Sequence, residues 1–283
     1  MFVLSIRTDR YHARSIHRLS DIAEIDVDFA YTLSGFVVGF IVGLTGVGGG
    51  SLMTPLLVMV FGVSPVNAVG TDLLYASITK TAGSWVHALR RNVDWALVGR
   101  LASGSIPAAL FTTGLLYWIG PGHGRATALV TWSLGIALLL TALSLLLRHR
   151  IQEWSARNGQ DAWREKHLSV LTVGVGVALG VLVTISSVGA GALGVAALFW
   201  LRPKMPATRI VGSDIAHAVP LTGVAGLGHM FLGTVDFKLL LALLIGSLPG
   251  IYLGSRACAH VPDKFLRVGL ASMLVLIGGR LVF

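Results

Sequence analysis

Gly46-Val47-Gly48-Gly49-Gly50-Ser51 interrupts an otherwise apolar stretch that runs from Ala30 to Thr45 before it and from Leu52 to Val63 after it. A glycine inside a helix costs about 1 kcal/mol against alanine, so four of them within five residues predict a broken helix. In an apolar medium the backbone groups released by a break need partners, from neighbouring helices or from a ligand. A new helix beginning near Ser51 turns its free N–H groups and the positive end of its dipole back toward the break, which suits an anion.

The composition places that break in a membrane. Of 283 residues, 54% are hydrophobic and only 12% charged, against about 25% charged in a soluble domain; mean hydropathy is +0.77. The chain reads as an all-α polytopic membrane protein of the cell (inner) membrane, with the lipid bilayer as its first partner. An outer-membrane barrel is disfavoured because the segments are continuously apolar instead of alternating. The net charge of +9 lies mostly between apolar runs, as in cytoplasmic loops, so no nucleic-acid partner is expected. Cys258 is the single cysteine, which excludes an intrachain disulfide and a cysteine-based metal cluster. No cofactor or metal motif is present, and HExxH and GxSxG are absent, so the chain is not read as an enzyme.

Two sets of five apolar segments flank a polar stretch. The first set covers about 30–46, 51–63, 68–89, 95–118 and 125–147; the second covers about 168–185, 188–201, 210–231, 237–255 and 263–283. The expected organisation is an N-terminal cytoplasmic arm at 1–28, a first membrane repeat at 29–147, a basic cytoplasmic linker at 148–167 and a second repeat at 168–283. An offset of 141 places Gly39 on Gly180, Gly48 on Gly189, Gly50 on Gly191 and Pro65 on Pro206. After a one-residue insertion the offset is 142, and Gly70-Thr71-Asp72 falls on Gly212-Ser213-Asp214, His87 on His229 and Val93-Asp94 on Val235-Asp236. Matched Asp, His and Pro in one register point to duplication, a common transporter plan with the site between the halves. If both basic segments are cytoplasmic, the number of crossings between them is even, which gives about eight crossings in all with the first break forming a single crossing. Five plus five with inverted halves is the alternative.

Candidate residues follow from the breaks. The second break is Ser186-Ser187-Val188-Gly189-Ala190-Gly191-Ala192. Backbone N–H groups of Gly48, Gly49, Gly50, Gly189 and Gly191, with the hydroxyls of Thr45, Ser51, Ser186 and Ser187, are expected to face an anion, and Thr71 and Ser213 are added from the start of the third segment in each half. Gly35, Gly39 and Gly43, spaced by four, are better explained by close helix packing. Asp72 and Asp214 are candidates for proton coupling, since a carboxylate near the membrane centre costs about 2.5–3.5 kcal/mol on the insertion scale; capping of a helix start explains them equally well. Lys80, matched by Thr222, breaks the symmetry and would attract an anion or pair with Asp72. His217 shares a helix face with Asp214 and is a further proton-coupling candidate. Asp94 and Asp236 read as helix caps, and His87 as interfacial.

The run from Gly46 to Leu57, Gly-x-Gly-Gly-Gly-Ser-Leu-x-x-Pro-Leu-Leu, together with Ala68-Val69-Gly70-Thr71-Asp72-Leu73, resembles the sulfite exporter TauE/SafE family over about residues 30–283. That resemblance implies a duplicated membrane domain and secondary transport of a small anion, notably sulfite or an organosulfonate, in the export direction. The chain departs from the family pattern at Gly189-Ala190-Gly191-Ala192, where a glycine is replaced, and at Asp72, where a hydroxyl residue is more usual. A passive anion channel is the alternative, an intramembrane enzyme a weaker one, and an oligomer is compatible with either.

Overall fold

The computed structural model describes residues 29–44, 50–122, 124–157, 162–257 and 263–283, and every regular element among them is helical. Helix α1 is Phe29–Leu44. The others are α2 Gly50–Met59, α3 Pro65–Leu89, α4 Trp95–Ile119, α5 Gly124–Arg157, α6 Ala162–Ser186, α7 Ala192–Leu201, α8 Ala207–Phe231, α9 Phe237–Ala257 and α10 Asp263–Val282. Gly124–Leu147, Trp163–Ser186, Ala207–Phe231 and Phe237–Arg256 are each long and apolar enough to cross a bilayer. The N-terminal arm and the residues of the first break, Thr45, Gly46, Val47, Gly48 and Gly49, lie outside the described residues, as do the side chains of Gly50 and Ser51.

Two helices are too short to cross. Helices α2 and α7 have 10 residues each, about 15 Å at 1.5 Å per residue, or half the hydrocarbon thickness. Each closes a hairpin. Tyr31 near the start of α1 packs on Phe61 just past α2, ring centroids 4.7 Å apart. Arg164 at the start of α6 donates through Nη1 to the carbonyl of Trp200 near the end of α7, at 2.9 Å. Each hairpin therefore enters and leaves at one end of the bundle.

Helices α3 and α8 form the central crossing. Both have 25 residues and they touch at their midpoints, where Ser77 Oγ donates to the Val219 carbonyl at 3.2 Å. They run antiparallel: Gly70 near the start of α3 lies against Thr234 just past α8, and Gly212 near the start of α8 lies against Asn92 just past α3. The first helix of each half packs on the fourth helix of the other. A Cβ at Gly35, Gly39 or Gly43 would strike backbone of α9 at Leu243, Ser247 or Ile251, and one at Gly176 or Gly180 would strike backbone of α4 at Leu101 or Ser105. The packing explanation of the four-spaced glycines holds. Asp94 and Asp236 cap α4 and α9, accepting from Leu97 N at 3.1 Å and Leu239 N at 3.0 Å. Their own amides donate across the halves, Asp94 N to Ser213 Oγ at 2.9 Å and Asp236 N to Thr71 Oγ1 at 3.0 Å.

Two sequence expectations are corrected. Helices α3, α4 and α5 lie between the hairpins, so Phe29 and Ala162 sit at opposite ends, which does not fit the even number of crossings expected between the basic segments. Helix α5 continues to Arg157 and α6 starts at Ala162, so parts of both helices fall within 148–167, where Arg, Gln, Glu and Ala sustain a helix. Asp72 and Asp214 are not at helix starts: α3 begins at Pro65 and α8 at Ala207, so neither caps free N–H groups.

Candidate functional site

The second break straddles the level at which α3 and α8 cross. Helix α6 ends at Ser186 and α7 starts at Ala192, with Ser187, Gly189 and Gly191 at φ of 56°, 119° and 136°. Positive φ is cheap for glycine, which explains why glycines stand at 189 and 191 while Ala190 between them is tolerated. Ser186 is used locally, its hydroxyl donating to Leu182 O at 2.7 Å. Ser187 is turned the other way. Its hydroxyl is buried without a hydrogen-bond partner among the described residues and lies beside Asp72.

Asp72 and Asp214 stand five residues before the crossing point on their respective helices, one on each side of it, and both are buried. Asp72 Oδ2 accepts from Thr54 Oγ1 of α2 at 2.5 Å, while Oδ1 has no hydrogen-bond partner among the described residues. At the matching position of α7 stands Val195, and both oxygens of Asp214 are without a hydrogen-bond partner among the described residues. Gly194 of α7 approaches Asp214 so closely that a Cβ there would overlap Oδ1. A buried carboxylate without hydrogen bonds is costly in its charged form, so Asp214 is the acid most dependent on a proton or a ligand.

Lys80 supplies the positive charge. It lies three residues past the crossing, is 6% exposed, and donates through Nζ to the Ala190 carbonyl of the second break at 2.8 Å. It is within electrostatic reach of both Asp214 and Asp72, so it is not committed to one of them as a simple ion pair. His217 completes the α8 side, its Nε2 2.8 Å from Ser105 Oγ and its Nδ1 unpartnered. The position matched to His217 is Tyr75, whose hydroxyl is also unpartnered and is directed toward Ser247, the match of Ser105.

Unpartnered polar atoms are a few per hundred residues in native folds and call for an explanation. Among the described residues six of ten gather here: Asp72 Oδ1, Tyr75 Oη, Ser187 Oγ, both oxygens of Asp214 and His217 Nδ1. The structure thus brings together Asp72, Lys80, Ser187, Asp214 and His217 from the sequence reading. It does not bring Thr71 or Ser213, which hold helix junctions, or Ser186. Thr45, Gly48 and Gly49 lie outside the described residues. Thr54, Tyr75, Ser105, Gly194 and Ser247 were not singled out as site residues from sequence; Tyr75 carried a signal in its spacing of three from Asp72, and Ser105 and Ser247 one in their match at the offset of 142.

Comparison with known proteins gives a consistent picture. The family model for the sulfite exporter TauE/SafE matches residues 31–281. The chain is 38% identical over 250 residues to the probable membrane transporter protein YjnA of Bacillus subtilis, covering 88% of this chain and 98% of YjnA. It is 26% identical over 256 residues to the probable membrane transporter protein YdhB of the same organism, covering 88% and 97%. A probable membrane transporter protein of Xylella fastidiosa is 30% identical over 224 residues, covering 78% and 81%. No solved structure matches the chain.

Proposed function

The chain belongs to the sulfite exporter TauE/SafE family, and from that premise we propose that it is a secondary transporter exporting a small oxyanion such as sulfite or an organosulfonate. It is a multi-pass membrane transporter; the substrate and its coupling are the proposal. In this reading the duplicated halves at 29–147 and 168–283 hold the anion between them, at the crossing of α3 and α8. The observation that carries it is the cluster of unpartnered buried groups around Lys80.

Charge counting supplies the coupling. Lys80 offers one positive charge, and Asp72 and Asp214 offer two negative ones when ionised. With both carboxylates ionised an incoming anion meets net repulsion; one proton neutralises the trio, and a second makes it attractive. Anion occupancy therefore requires protonation at Asp72 or Asp214, with His217 positioned beside Asp214 on the same helix to pass that proton. The anion then travels with its proton, and export runs when the internal excess of anion exceeds the opposing pH gradient. Alternation by rocking one inverted half against the other fits this plan. The end carrying Arg90, Arg91, Arg202, Lys204 and Arg209 is the cytoplasmic one by its Lys and Arg content, which puts the attachment point of the N-terminal arm, Phe29, on the other side.

Proteoliposomes loaded with radiolabelled sulfite, sulfate, thiosulfate or a taurine-derived sulfonate test the reading. Flux of at least one anion that responds to an imposed pH gradient is expected. Absence of flux for all of them, with and without the gradient, overturns it.

A further inference from the structure

A second concentration of positive charge lies well away from Lys80. A cavity of about 400 Å³ opens between the start of α6, the α7–α8 junction and the start of α4, lined by Arg164, Arg202, Lys204 and Arg209 against Asp94 and Glu165. Four cations face two carboxylates, and the carboxylates are poorly placed to neutralise them. Asp94 already caps α4 and meets Arg209 only at 3.7 Å; Lys204 and Glu165 are 3.9 Å apart with both side chains largely exposed. Such solvated pairs are worth little. Arg164 is 4% exposed, and its guanidinium is anchored by the Trp200 carbonyl. Arg202 has a buried Nε with no hydrogen-bond partner among the described residues.

The fold does not require this charge. The junction at the matching place in the first half, Val60-Phe61-Gly62-Val63-Ser64-Pro65, contains no charged residue and joins the corresponding helices, α2 and α3. A preference for Lys and Arg on the cytoplasmic side explains exposed cations and the Trp200 carbonyl explains Arg164, but neither explains an unpartnered buried Arg202 Nε.

We propose that this cavity is a second anion site, independent of the one at Lys80, which takes an oxyanion group of the sulfonate, sulfate or phosphate type. Planar guanidinium donors match the paired oxygens of such groups, and the volume falls within the range of small-ligand sites. The group can belong to a free anion or to an anionic lipid headgroup, because guanidinium donors pair with the oxygens of either and basic pockets between helices bind lipid headgroups.

The full-length protein in nanodiscs of phosphatidylcholine, titrated calorimetrically with sodium sulfate and separately with sodium phosphate at constant ionic strength, provides the test. Wild type is expected to bind one of these at a site that Lys80→Ala leaves intact and that the double variant Arg202→Gln/Arg209→Gln weakens at least tenfold. A parallel series with rising phosphatidylglycerol separates the sources: competition with the free anion assigns the pocket to a headgroup, and no competition assigns it to a soluble anion. Circular dichroism and elution volume check that the double variant is folded, and Lys204→Gln provides a milder variant expected to weaken binding severalfold. The proposal falls if binding of both anions is the same in wild type and variants and phosphatidylglycerol leaves them indistinguishable. It falls equally if Lys80→Ala abolishes all binding, since that would leave one site only.

Discussion

Replacing Asp214 by asparagine keeps the shape of the side chain beside Gly194 and removes a charge that no hydrogen bond from the described residues stabilises. If the anion sits at the α3–α8 crossing, about 8 Å from that carboxylate, the repulsion removed is about 2 kcal/mol at an effective dielectric of 20. That corresponds to about thirtyfold in affinity. The sign follows from the ionised groups that face the site, Asp72 and Asp214 against Lys80: wild type should bind an anion more tightly as pH falls, because protonation does what the substitution does. In Asp214→Asn the affinity should be higher at neutral pH and its pH dependence shallower, with the remaining slope due to Asp72. A permanently ionised sulfonate is the right probe, so that the ligand's own titration does not enter, and equilibrium binding between pH 5 and 8 is the assay. Weaker binding in the variant, or a slope as steep as in wild type, would refute the charge argument.

Lys80→Ala should lower anion affinity by tenfold or more in the same assay, whereas unchanged affinity would reduce Lys80 to its bond with the Ala190 carbonyl. Gly189→Ala, at φ 119°, should destabilise by about 1–3 kcal/mol, seen as a lower Tm in detergent, while Ala190→Gly should leave Tm nearly unchanged. Gly246→Val should be severe, because even a Cβ at Gly246 would strike the backbone of α1 at Thr32; loss of the monodisperse peak in gel filtration checks it. Asp236→Ala removes the α9 cap at a cost of about 1 kcal/mol and should lower Tm modestly without changing the pH dependence of binding.

The helical segments and both breaks were legible because glycine clusters and apolar run length are local signals. The direction of the halves was not. Lys and Arg content assigned both basic segments to one side, but a hairpin that enters and leaves at the same end adds no crossing, and only contacts such as Tyr31 on Phe61 and Arg164 on Trp200 reveal it. Asp72 was legible as a buried acid and misplaced as a helix start, because the polar look of Pro65-Val66-Asn67 concealed the first turn of the helix, which puts Asp72 about two turns in. Thr54 was illegible: one hydroxyl in an apolar helix carries no signal until the fold places it on Asp72.

The positions that matter most are those at which the two halves stop matching. Away from the crossing, where the offset pairs like residues, the structure shows framework: Asp94 and Asp236 cap helices, Thr71 and Ser213 receive their amides, and the glycines set interhelix spacing. Near the crossing, by contrast, Thr54 is matched by Val195, Tyr75 by His217 and Lys80 by Thr222. Each difference has an electrostatic consequence. Thr54 hydrogen-bonds one acid and leaves its counterpart bare; His217 can take a proton where Tyr75 holds one; Lys80 places positive charge on one side of the crossing only. An inverted pair with identical centres would present an anion with the same environment from both ends. These three exchanges give it a polarity, with the unpartnered acid, the histidine and the lysine on one side of the crossing and the hydrogen-bonded acid on the other. Restoring the match one position at a time, with Val195→Thr first because it supplies Asp214 with the hydroxyl that Asp72 already has, should therefore weaken the pH dependence of binding before it weakens binding itself.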